Sequence, residues 1–124
     1  MSEDFFDYDE AHPIPNLEVV DVYTVKKGGG AWLSIVIASP LQDDDRSLER
    51  LLKKIERYLD FTRAPEFVAA CGVATVANTE VQVLIHPQSA PLAFKLLEKC
   101  KPWAIDCDVT LVVDPEALVR CLPN

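Results

Sequence analysis

Apolar and polar positions along this chain follow two periods, and the order in which they alternate predicts the fold. Period two marks strands: Leu33, Ile35 and Ile37 alternate within Ala31–Ser39, and Val81, Val83 and Ile85 within Glu80–His86. Val19–Lys26 and Cys107–Val113 are further β-rich runs. The helical period appears after Asp43-Asp44-Asp45, where Leu48, Leu51, Leu52, Ile55, Tyr58 and Leu59 recur three and four residues apart. The aspartates cap that helix and complement its dipole, while Arg46, Arg50, Lys53, Lys54 and Arg57 are expected on its solvated surface. Ser89-Ala90-Pro91 opens a second helix, with Ala93, Leu96, Leu97 and Cys100 on one face and Pro102 closing it. Residues 62–79 are the least regular, with a short helix over Glu66–Cys71 ended by Gly72. Glu116–Leu122 reads as a short terminal helix.

Three runs end alike, in a polar residue followed by proline: Leu33–Ser39 before Pro40, Val81–His86 before Pro87, and Val109–Asp114 before Pro115. Proline has no N–H for a ladder, and it biases the residue before it toward extended backbone, so each pair stops a strand. Lys27-Gly28-Gly29-Gly30 joins the first two strands as a hairpin. A glycine loop can also cradle phosphate, but such a loop opens a helix and here a strand follows. The resulting order is β-β-α-β-α-β-(α). With right-handed crossovers it gives an α+β (α/β-like) two-layer sandwich: a four-stranded mixed sheet with both long helices on one face.

Val19-Val20-Asp21 in the first strand, Leu51-Leu52, and Lys54-Ile55-Glu56-Arg57-Tyr58-Leu59-Asp60-Phe61 in the helix resemble a family of small bacterial domains of uncharacterised function. The likeness runs from Val19 to Val113. It implies the same sandwich fold and a bacterial cytoplasmic setting, and it carries no catalytic residues.

The 124 residues are expected to make one domain over 19–124, preceded by an acidic tail over 1–18. The net charge is −8, of which Glu3, Asp4, Asp7, Asp9 and Glu10 carry five, leaving a mildly acidic body. Such a surface repels phosphate backbones and anionic lipid, so neither nucleic acid nor membrane is an expected partner. The segment MSEDFFDYDE is acidic where a secretory signal is basic and then apolar, so the expected location is the cytoplasm. Cys71, Cys100, Cys107 and Cys121 lack metal-ligand spacing and read as buried thiols, with no metal or cofactor expected.

Candidate chemistry lies at the strand ends. Ser39, His86 and Asp114 are the residue types of a hydrolytic triad, and ligands gather at the carboxyl edge of parallel strands. Parity separates them, however: His86 and Asp114 share the face opposite Val81, Val83 and Ile85, whereas Ser39 shares the face of Ile35 and Ile37. There is also no G-x-S-x-G elbow. The face away from the helices offers Trp32, Val36, Leu84 and Val112 as an apolar patch, which marks a protein contact unless residues 1–18 or 62–79 cover it through Phe5, Phe6 or Phe67.

The expectation is therefore a non-enzymatic protein-binding domain, in one form an immunity- or antitoxin-like inhibitor of a basic partner, with homodimerisation through the same face close by. The competing expectation is a small-molecule-binding domain or enzyme using the Ser39, His86 and Asp114 rim.

Overall fold

Alternation along the strands becomes a two-sided sheet in the computed structural model, which describes residues 11–17, 19–20 and 22–117. The elements are β1 (Val22–Val25), β2 (Ala31–Ile37), α1 (Asp45–Phe61), α2 (Pro65–Cys71), β3 (Thr79–Ile85), α3 (Pro91–Asp106) and β4 (Thr110–Asp114). The sheet order is β1-β2-β3-β4, with β1 antiparallel to β2 and the other pairs parallel. This is the expected mixed sheet in an α+β two-layer arrangement. The expected terminal helix and the acidic stretch over 1–10 lie largely or wholly outside the described residues.

Register sets the core in rows. Leu33 pairs Val81 and Val81 pairs Leu111, and one row further Ile35 pairs Val83 and Val83 pairs Val113. The β2 and β3 members of both rows, and Leu111, are buried beneath the helices, each such side chain contributing about 1.5–3 kcal/mol. From above, α1 adds Leu51, Ile55, Tyr58 and Leu59, and α3 adds Ala93, Leu97, Cys100 and Ala104. The Tyr58 hydroxyl donates to the carbonyl of Ser34, tying α1 to β2. Tyr23, Phe61 and Phe67 form a chain of edge-to-face rings at 5.2 and 5.5 Å, so Phe67 belongs to the helix side and does not cover the open face.

The glycine hairpin is built by close approach. Gly30 has φ +84°, and a Cβ there would stand 2.1 Å from the Asn78 carbonyl oxygen. Its N–H donates to Cys71 O, and Gly29 N–H donates to Lys26 O. Both amides are spent on the fold.

Three expectations are corrected. Pro102 lies inside α3, which continues to Asp106. It is exposed, so the carbonyl that loses its donor stays near water and the helix survives. The helix ends instead at Cys107 and Asp108, the latter at φ 63°, with Val109 N–H closing back on Ala104 O. Second, Arg50 and Lys54 are not on the solvated face: they are 3% and 2% exposed. Arg50 donates to the carbonyls of Ile14 and Pro15, and Lys54 to those of Asn16 and Val19. Third, the segment expected as tail is packed where it is described. Ile14 and Leu17 are 1% and 5% exposed within the core. Residues 11–17 and 19–20 thus lie as a strap along α1, and carbonyls among them find cationic side chains as partners. His12 Nδ1 accepts from Ile14 N–H, so Nε2 carries the proton and donates to Ser47 Oγ, which in turn donates to the helix-capping Asp44.

Candidate functional site

Because β2, β3 and β4 run parallel, their proline-terminated ends reach one edge of the sheet, and alternate side chains project onto the face away from the helices. Register arranges that face in rows. Trp32 pairs Glu80, which pairs Thr110. Ser34, Gln82 and Val112 form the next row. Val36, Leu84 and Asp114 form the third, with Ala38 and His86 beyond.

Trp32 is 47% exposed although β2 is an inner strand. The Lys26 ammonium stands 4.9 Å from the centre of its ring. Val36, Leu84 and Val112 are partly exposed. Val36 and Leu84 are cross-strand partners, Val112 lies one row away in the row of Ser34 and Gln82, and Trp32 stands across that row from Val36 and Leu84. Gln82 donates to Glu80 at 2.6 Å, so a short polar seam runs between the indole and the aliphatic cluster.

The rim is contiguous with that cluster. Asp114 is the register partner of Leu84, and His86 lies two residues beyond Leu84 on the same face. Ser39 falls beyond the end of β2 with the opposite parity, so serine, histidine and aspartate are not brought together. The two that are neighbours have local duties. His86 Nδ1 accepts from Gln88 N–H at 3.0 Å, which places the imidazole proton on Nε2. Asp114 Oδ1 accepts from Glu116 N–H and Ala117 N–H, both at 3.0 Å, and so caps the turn after β4.

Among the described residues, no group of three His, Cys, Asp or Glu side chains has a geometry that would hold a metal ion. Cys71, Cys100 and Cys107 are buried free thiols, and burial pushes the Cys71 and Cys100 thiols up, away from the reactive thiolate. Cys121 lies outside the described residues. None of the described helices is long and apolar enough to cross a membrane.

A second surface was not legible in the sequence. Helical spacing puts Leu48, Leu52 and Leu96 on core faces, yet Leu48 and Leu96 are only partly buried and Leu52 is 38% exposed. With Leu92 they line a groove between α1 and α3 on the outer side of the helix layer. The signal was the width of the apolar arcs: each helix carries more leucine than one sheet face covers.

No family model, no curated protein and no solved structure matches this chain.

Proposed function

We propose that this chain is a non-catalytic protein-binding domain that takes a basic protein partner on its open sheet face, with Trp32 as the anchor. The observation that carries the reading is a tryptophan nearly half exposed on an inner strand, beside an aliphatic cluster on the same face. Large aromatic side chains held on rigid backbone are the usual energetic centres of interfaces. The chain's acidity, with Glu80 and Asp114 in the rows of that face, favours a positively charged partner and speeds its approach. An inhibitor of the immunity or antitoxin kind, acting in a bacterial cytoplasm, has these properties. The His86–Asp114 rim supports ligand binding less well, since both side chains already serve turns.

The test is affinity capture from native lysate by wild type, Trp32→Asp and His86→Ala, at low and moderate salt. Wild type and His86→Ala should retain one basic protein in stoichiometric amount, which leaves as salt rises, and Trp32→Asp should retain none. Undiminished capture by a folded Trp32→Asp chain overturns the sheet-face reading.

A further inference from the structure

The groove between α1 and α3 has a volume of about 440 Å³ and is built by the leucines named above. Leu92 is 47% exposed and Leu52 38%. The two helices touch each other little, because each packs down on its own part of the sheet. Its two walls differ in charge. On the α1 side the rim is Asp45 and Glu49, and on the α3 side it is Lys95 and Lys99. At 100° per residue, each charged pair stands just outward of the leucines on its own helix, so an apolar floor is flanked by an acidic and a basic ridge. Neither lysine has an ion-pair partner among the described residues. Among the described residues Glu49 pairs with exposed Lys53 on its own helix, at 3.1 Å, a contact worth little in water.

We infer that this groove is the interface of a two-fold homodimer in which the helix layers of two copies meet face to face. The charge pattern selects the occupant. α1 and α3 each return from the end of one parallel strand to the start of the next, so they run in the same direction. A two-fold axis lying along the groove places α1 of one copy on α3 of the other without reversing direction. Asp45 and Glu49 of each copy then meet Lys95 and Lys99 of its mate, and the leucines of both floors close on each other. A two-fold axis across the groove places α1 on α1 and acid on acid. An isologous interface must be complementary to itself, and an apolar strip with opposite charges on its two banks satisfies that condition. The arrangement leaves both open sheet faces outward, and it does not depend on what they bind.

Charge exchange tests it. The Lys95→Glu/Lys99→Glu chain carries acid on both banks, and the Asp45→Lys/Glu49→Lys chain carries base on both. In sedimentation equilibrium the wild type should be a dimer at micromolar concentration. Each double variant alone should self-associate roughly a hundredfold more weakly, from like charges opposed in duplicate. An equimolar mixture of the two should recover the dimer, because every bank again meets its opposite. That recovery also shows that both variants are folded and that a change in net charge is not the cause. Trp32→Asp should remain dimeric, which separates this outcome from that for the sheet face. A monomeric wild type, with the groove left to another occupant, overturns the inference. So does a dimer that survives both double variants, or a mixture that stays monomeric.

Discussion

Replacing Gly30 by alanine should cost far more than the same change two residues earlier. Gly28 and Gly30 have nearly the same backbone angle, φ +88° and +84°, so both variants carry the strain of an L-residue in the left-handed region, about 1 kcal/mol. They differ in surroundings. At Gly28 an added Cβ meets nothing within 4 Å, whereas at Gly30 it comes to 2.1 Å from Asn78 O and 2.7 Å from Asn78 C. Those atoms are backbone, so no side-chain rotation relieves the clash and the turn must lift. Lifting it stretches Gly30 N–H to Cys71 O and Ala31 N–H to Asn78 O, at about 1 kcal/mol each. Gly30→Ala should therefore lose about 3 kcal/mol and Gly28→Ala about 1 kcal/mol. Urea unfolding followed by far-ultraviolet circular dichroism measures both, with an unchanged slope showing that only stability moved. Losses that agree to within about 0.5 kcal/mol would refute the close approach and return the glycines to a merely flexible turn.

Two further predictions concern helix ends. Hydrogen bonds from Ser47 hold the Asp44 carboxyl below its usual range. A depressed folded pKa means that this contribution is complete above the unfolded value, about pH 3.9, and is lost as pH falls through the folded one. Asp44→Asn keeps a cap but does not titrate, so its stability should fall less steeply in acid than that of the wild type, and parallel acid limbs in urea midpoints against pH would contradict the cap geometry. Asp108, at φ 63° after α3, occupies a position glycine prefers, so Asp108→Gly should raise stability by about 0.5–1 kcal/mol in thermal unfolding. A lower midpoint would mean that its side chain matters more than its backbone.

What the sequence made legible was whatever depends on neighbours a few residues away. The proline-terminated runs led to β2, β3 and β4, and the aspartates with Leu51, Ile55 and Leu59 led to α1. The open face followed from parity alone. What it hid depends on distant partners. Arg50 and Lys54 look like solvated cations on a helix wheel, and their burial is decided by carbonyls some 35 residues earlier in the chain. Pro102 looked like a stop because its exposure is set by the sheet beneath α3. The groove is hidden in the sequence because a leucine on a helix reads as core until the width of the layer below is known.

The strap over 11–20 gives the chain a mechanical property. Lifting it exposes Ile14 and Leu17 at about 1.5–3 kcal/mol each, and breaks charge-assisted bonds to four carbonyls at about 1.5 kcal/mol or more apiece. The backbone freedom that the lifted segment regains offsets much of that cost, at about 1–2 kcal/mol per residue. Releasing the strap therefore uncovers Arg50 and Lys54 together with part of the core. A pull on Ala11 acts along α1 through the contacts to Ser47, Arg50 and Lys54, so force applied there reaches the core and not a loose end.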